Sequence, residues 1–381
     1  MPRTFFKILA AFLLLLLGAF ILTEAMTSGD LATRDYLTYW AAGHQLAMHQ
    51  NPYDGPQILA LEKSVGFVHD HPFFMRNPPT AFLIAYPLGF VSLRTGGILW
   101  SLALIVALIV SIRMLWRMLG SPTDRLHLLG YIFPPVLACL LHGQIGIFLL
   151  FFLTCFFYFQ ESVPVLAGAA LFAFALKPHL FIPFGLVLLA WTILNKRYRL
   201  LGGAALAVGI DVGFAFVVDK AGWHQFATML RGAEIYDESI PTISLALRLL
   251  VHRQWHWLQF APCAIAAAFC LRYYVKHRSH WNWTNQGVLL LAISVMVAPY
   301  AWFTDESLAV PAILFGLYRA TRAQLLVFTV LVIPAMAVLL FAVPMNTGFY
   351  IWTAPAWVLW CLNVQRSRNA PAPPELQPQE T

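Results

Sequence analysis

The chain has 381 residues, of which 60% are hydrophobic and only 11% charged. A soluble domain carries about 25% charged residues, so a water-soluble enzyme is excluded and a chain that crosses a membrane many times is expected. The net charge of +7 does not point to nucleic acid. The basic residues sit in short clusters between apolar runs, where they meet anionic lipid headgroups.

In chain order, the first apolar run is 5–23, preceded by Arg3 and Lys7. Residues 23–29 lack a small-x-small cleavage site, so an uncleaved first helix with a cytoplasmic N-terminus is expected. The next stretch, DLATRDYLTYWAAGHQLAMHQNPYD at 30–54, is too polar to span. Within it Tyr36, Tyr39, Trp40, Gly43 and Leu46 recur at helical spacing. This predicts an amphipathic helix along the membrane surface with Asp35 in its first turn. Asn51-Pro52-Tyr53-Asp54 reads as the turn that ends it. The apolar segment 78–93 contains Pro78, Pro79 and Pro87 and is short for a span. Further spans are expected at about 96–116, 126–141, 144–160, 163–177, 179–194, 200–218, 257–275, 286–300, 305–318, 323–343 and 348–364.

The basic clusters decide the topology. If 78–93 does not span, Arg113, Arg117, Arg125, Lys196, Arg197, Arg199, Arg272, Lys276, Arg278, Arg319, Arg322, Arg366 and Arg368 all fall on the side of the N-terminus. If it spans, they flip outside, against the positive-inside rule. The expectation is therefore an all-α polytopic membrane protein of about twelve transmembrane helices, forming one domain over 1–365 with both termini cytoplasmic. A large first outer loop, 24–95, carries interfacial helices, with 78–93 lying at or dipping into the membrane surface. The Pro-, Gln- and Glu-rich tail 366–381 is expected to be disordered. Cys139, Cys155, Cys263, Cys270 and Cys361 lie inside apolar runs and read as packing residues.

Several polar residues share the expected outer side. Asp35, beside Arg34 and Tyr36, has two readings: an acid favoured by a helix dipole, or a base that accepts the proton of an attacking hydroxyl. Asp30 competes with it. Arg76 pairs with a phosphate or with headgroups. His142-Gly143-Gln144 interrupts two apolar runs, and Gly143 alone accounts for a tight hairpin without explaining its polar flanks. Lys177-Pro178-His179 places a lysine on the side where positive charge is scarce. That lysine either snorkels or awaits a phosphate. Asp305 and Glu306 begin a span after Pro299-Tyr300-Ala301-Trp302, and Asp211 lies within one, which makes it a candidate functional acid. The loop 219–241 adds Arg231, Glu234, Asp237 and Glu238. No phosphate-binding glycine loop, HExxH or CxxC pattern is present, so no cofactor and no metal-binding residues are expected, and the sequence leaves a metal requirement open.

Five blocks in this order resemble the polytopic glycosyltransferases of the GT-C class, and more narrowly glycosyltransferase family 87, the polyprenol-phosphate-mannose-dependent mannosyltransferases. They are Asp35-Tyr36 with Tyr39 and Asn51-Pro52-Tyr53-Asp54; Asn77-Pro78-Pro79 with Pro87-Leu88; Gly143-Gln144; Leu176-Lys177-Pro178; and Ala298-Pro299-Tyr300 with Asp305. The resemblance implies a GT-C-like bundle and Asp35 as the catalytic acid of the first outer loop. It also implies a lipid-phosphate sugar donor, a lipid or glycan acceptor, and inversion at the anomeric carbon. Lys177, His142 and Arg76 are then expected at the donor phosphate, with Gln144, His179, Tyr39, Asp305 and Asp30 as further site candidates. Where many relatives carry glycines before the Pro-Tyr element, this chain reads Met48-His49-Gln50-Asn51, so its local turn differs. The competing class is a transporter or flippase of a lipid-linked or small polar substrate. Transporters carry polar residues near mid-membrane and internal repeats; here polarity concentrates in the outer loops and no repeat is visible.

Overall fold

The computed structural model describes residues 31–232, 240–345 and 347–369. The first apolar run, Asp30, the acids Glu234, Asp237 and Glu238, and the end of the tail lie outside the described residues. Every regular element among the described residues is helical.

Helix α1, Tyr36–Ala47, follows Asp35. It buries ten of its twelve residues, Thr38 and Gln45 included. The surface helix with one apolar face expected from the spacing is therefore corrected: α1 is enclosed by the chain. The reason lies in Gly43 and Gly89. A Cβ on Gly43 would run into the Ala85 carbonyl, and one on Gly89 into the Gly43 carbonyl, so two backbones approach as only glycine permits. The segment Pro79–Phe90, broken into short pieces, thus lies directly on α1. Trp40 Nε1 donates to the Val91 carbonyl at 2.9 Å and the Tyr36 hydroxyl to the Leu93 carbonyl at 3.1 Å, fastening residues 91–93 over the helix.

Asp54 caps α2, Gly55–Ser64, accepting from the Gln57 amide at 3.1 Å. Ser92 caps α3, Leu93–Met118, accepting from the Thr95 amide at 3.2 Å. Helix α3 presents Leu99, Leu102, Val106 and Ile109 outward, each about half exposed, a stripe suited to acyl chains. Among the described residues, four helices are long and apolar enough to cross a membrane: Leu93–Met118, Tyr198–Val218, His256–His280 and Arg322–Ala342. They match four of the expected spans.

The other expected spans are shorter or broken helices. Span 126–141 is a 3-10 turn followed by α4, Pro134–His142. Then come α5, Gly146–Phe159; α6, Pro164–Ala170; α7, Ala173–Leu176; and α8, Ile182–Leu194. Past the long helix α9, Tyr198–Val218, and the helix α10, Ala261–His277, follow α11, Val288–Met296; a 3-10 turn, Phe303–Ala309; α12, Val310–Leu317; and α13, Thr353–Asn369. Many of these pieces restart on a proline in their first turn, as at Pro134, Pro164, Pro178, Pro183 and Pro311. Proline suits a first turn and breaks an interior. A crossing needs about 20 helical residues, so among the described residues helix length supports four crossings, and the expected span 5–23 lies outside them.

Candidate active site

Asp35 stands at the N-cap of α1, yet its side chain makes no capping bond. The helix dipole favours an acid at this position, and the uncapped carboxylate is left to contacts beyond the helix. The residue is half-buried. Burial raises its pKa above the usual carboxylate range, while His142, the hydrogen-bonding side chain of Gln144, and Lys177 pull the other way. The acid is thus held among a histidine, an amide and a lysine that come from distant parts of the chain.

Those partners arrive through two tight junctions. Helix α4 ends at Gly143, whose φ of 68° is left-handed, the helix C-terminal geometry that glycine adopts without strain. A Cβ there would lie 2.8 Å from Cβ of Tyr36, so the hairpin sits hard against the start of α1. Trp100 Nε1 donates to the Gly143 carbonyl at 2.8 Å, and its ring stacks on Tyr39 at 5.1 Å. His142 and Gln144 are therefore presented beside Asp35 by a fixed turn. Gly146 packs beneath Ser307 and the Thr304 carbonyl, tying the same hairpin to the 303–309 turn.

At the second junction α7 ends and Lys177 leaves the helix. Asn77 Nδ2 donates to the Leu176 carbonyl at 2.9 Å and the Thr80 hydroxyl to the Ala175 carbonyl at 2.6 Å. The Tyr39 hydroxyl donates to Asn77 Oδ1 at 3.1 Å. The segment 77–80 thus satisfies the open carbonyls of α7 and fixes where Lys177 emerges. Lys177 Nζ lies 2.7 Å from Asp305 Oδ1 and 3.5 Å from Gln144 Oε1. The other Asp305 oxygen accepts from the Trp302 amide at 3.0 Å. Both side chains of the ion pair are buried. Lys177 does not snorkel, and it is not an uncommitted cation: it is charge-paired in place.

Arg76 Nη1 lies 3.3 Å from the Tyr300 hydroxyl, which also accepts from Trp302 Nε1 at 2.9 Å. The His179 ring meets the Tyr300 ring edge-on at 5.6 Å. These groups stand next to the ion pair, since Trp302 binds Asp305 through its backbone and His179 lies two residues past Lys177.

The structure therefore gathers Asp35, Tyr39, Arg76, His142, Gln144, Lys177, His179 and Asp305. Asp30 lies outside the described residues. Asp211 is buried on α9 with neither carboxylate oxygen bonded to protein, and it takes no part in these contacts. Glu306 accepts from Thr353 at 2.6 Å and Trp357 at 2.8 Å and so fastens α13 to the 303–309 turn. Sequence reasoning assigned no role to Asn77, Tyr300 or Trp302. The signal available was an amide and two aromatics in polar breaks between apolar runs. Among the described residues, no group of three or more His, Cys, Asp or Glu is placed to hold a metal ion.

Residues 74–327, two thirds of the chain, match the model of glycosyltransferase family 87. The match contains Arg76, His142, Gln144, Lys177, His179, Tyr300 and Asp305; Asp35 precedes it and joins the site through the fold. No curated protein and no solved structure matches.

Proposed function

The chain belongs to glycosyltransferase family 87, and from that membership we propose that it transfers a hexose, mannose first, from a polyprenyl-phosphate donor to a hydroxyl of a lipid or glycan acceptor. The reaction takes place at the outer face of the cell membrane, with both termini cytoplasmic. The observation that carries the proposal is the placement of a half-buried carboxylate, Asp35, beside Gln144 and near the buried Lys177–Asp305 pair. Base and cation converge from the first loop, the 142–146 hairpin and the α7 junction.

In the proposed step the acceptor oxygen attacks the anomeric carbon from the face opposite the phosphate. Its proton passes to Asp35. The bond between the anomeric carbon and the phosphate oxygen breaks, its electron pair stays on that oxygen, and polyprenyl phosphate leaves. Burial makes Asp35 a stronger base than an exposed aspartate, and general-base help is worth about a hundredfold to ten-thousandfold. The positive charge of Lys177 and Arg76 meets the charge that develops on the leaving phosphate, and His142 offers it a hydrogen bond. Inversion follows from a single displacement. No nucleotide sugar and no cofactor enters the step.

Membership in a glycosyltransferase family sets aside the transporter reading. The test is to incubate membranes containing the protein with radiolabelled polyprenyl-phosphate mannose and follow label into lipid and glycan. Label should move from this donor and not from a nucleotide sugar when polyprenyl-phosphate synthesis is blocked. Transfer from the nucleotide sugar under that block would overturn the donor assignment.

A further inference from the structure

We infer that the hairpin 243–260 is a membrane-docking element: its outward face lies in the lipid leaflet beside the candidate active site, with acyl chains and headgroups as its partner. Residues 243–256 fall between the expected spans 200–218 and 257–275, so the hydropathy reading leaves them out of the bilayer. The inference holds whichever sugar is transferred.

Three observations carry it. The first is inverted polarity. Thr242 caps the helix Ile243–Val251, accepting from the Leu245 amide at 3.0 Å. That helix buries Ser244, Leu245 and Arg248 against the protein, while Leu249, Leu250 and Val251 stand outward. Arg248 is 1% exposed and Leu250 85%. Arg248 Nη1 donates to His256 Nδ1 at 2.6 Å, which fastens the helix to the turn His256–Phe260. A helix against water turns its charges out and its leucines in. Charge inward and leucine outward is the arrangement of a helix surrounded by lipid.

The second is the tip of the hairpin. Trp255, Trp257 and Phe260 are exposed. The Trp255 ring stacks on His252 at 4.6 Å and on Trp257 at 5.9 Å. His252, Arg253 and Gln254 are exposed beside them. Indole rings next to polar side chains suit the boundary between acyl chains and headgroups. The third is continuity. The hairpin runs directly into His256–His280, which is long and apolar enough to cross a membrane. Ile265 and Phe269, four residues apart, stand outward on it. A protein partner in water would cover the hairpin and leave that stripe bare, whereas lipid covers both.

The leaflet is set by two buried bonds. Ser244 Oγ donates to the Val297 carbonyl at 3.0 Å, and Gln259 Nε2 donates to the Pro299 carbonyl. Both carbonyls lie just past the end of α11, where helical partners run out. The two ends of the hairpin thus hold the break that leads into Tyr300, Trp302 and Asp305. Arg272, Lys276 and Arg278 lie towards the other end of the span, which places the hairpin at the outer end by the positive-inside rule.

The experiment attaches a nitroxide to Leu250→Cys, Trp257→Cys and, as a control in water, the exposed His71→Cys. Each full-length protein is placed in phosphatidylcholine vesicles, and collisions with oxygen, which concentrates in lipid, are compared with those of a water-soluble nickel chelate. Wild-type protein, whose five cysteines are buried or half-buried, gives the background, and thermal unfolding checks folding. Labels at 250 and 257 should collide more with oxygen, and the label at 71 more with nickel. Should one of the two hairpin variants fail to fold, the other carries the test. Nickel access at 250 or 257 equal to that at 71 would place the face in water and overturn the inference. Labels reached by neither reagent and broadened by a neighbouring label would put a second copy of the chain on this face, and overturn it too. Neither readout involves sugar transfer, so failure of the transferase proposal leaves this result intact, and failure here leaves that proposal standing.

Discussion

Lys177 Nζ and Asp305 Oδ1 stand 2.7 Å apart with both side chains buried. Lys177 follows the end of α7 and Asp305 lies within the 303–309 turn, far apart in sequence, and their pairing joins the two. Removing one partner from a buried pair leaves an uncompensated charge and costs about 3–5 kcal/mol. Asp305→Ala should lower the unfolding temperature in detergent sharply. The double variant Lys177→Met with Asp305→Leu should recover much of that loss while sugar transfer stays absent. An Asp305→Ala protein as stable as the wild type would show that the pair does not hold these elements together.

The approach of α1 to the segment Pro79–Phe90 depends on Gly43 and Gly89. A side chain at Gly43 meets the Ala85 carbonyl, which cannot move aside cheaply. Overpacking costs about 1–3 kcal/mol even where side chains can adjust. Gly43→Val should cost at least that, and it should lower transfer by shifting the segment 77–90 against Lys177. Gly202→Ala is the control, because open space surrounds that glycine; removing a helical glycine there should leave stability unchanged or raise it. Equal effects of the two substitutions in thermal unfolding would contradict the close-packed interface.

Glu62 ties the 65–75 loop to α2. Its carboxylate accepts from the Phe73 amide at 3.0 Å, and burial pushes its pKa up to about 7. A folded-state pKa above the unfolded value means that stability is full below the unfolded pKa and falls as pH rises through the folded one. The loop should therefore be firmest near pH 4.5 and loosen towards pH 7 and above. Exchange of the Phe73 amide, followed from pH 5 to pH 8 and corrected for intrinsic rate, should show protection falling across that window. Glu62→Gln should flatten the dependence; an unchanged profile in that variant would assign the effect elsewhere.

How much of this was legible beforehand follows from what each signal encodes. Hydropathy and the Lys and Arg clusters report transfer into a bilayer, so they marked the polar stretch 30–54 and four long spans. Periodicity failed at α1. Tyr36, Tyr39, Trp40, Gly43 and Leu46 mark one face, but small residues on the other face let the chain bury that one too, and no periodicity records what the chain folds onto a helix. At 126–141 and 163–177 the expected single spans are broken into shorter pieces. A short apolar piece enclosed by protein has the same composition as one crossing lipid. The polar interruptions at His142, Gln144, Lys177 and Asp305 were visible as breaks in apolar runs. Their convergence was not, because the 2.7 Å pairing of Lys177 with Asp305 is a tertiary fact. Asn77 and Tyr300 went unassigned for the same reason: their importance lies in bonds to segments roughly a hundred residues or more away.

Asp35 sets the expected acid limb of the pH profile. Burial raises its pKa, and only the deprotonated form accepts a proton. Transfer should therefore fall as pH drops, with a midpoint above the usual aspartate value of about 3.9. A kcat/KM profile measured with saturating acceptor checks this. An acid limb at or below the ordinary aspartate value would argue against Asp35 as the titrating base.

The central claim, that Asp35 is the general base of sugar transfer, is tested most directly by transfer of label from polyprenyl-phosphate mannose with purified wild-type and Asp35→Asn protein. The substitution keeps the shape and removes the proton acceptor. Its kcat should fall by about a hundredfold to ten-thousandfold while polyprenyl phosphate still binds and the unfolding temperature stays close to that of the wild type. Near-normal kcat in Asp35→Asn, with transfer lost instead in Asp30→Asn or in a folded Asp305→Asn, would contradict the claim and move the base to that residue.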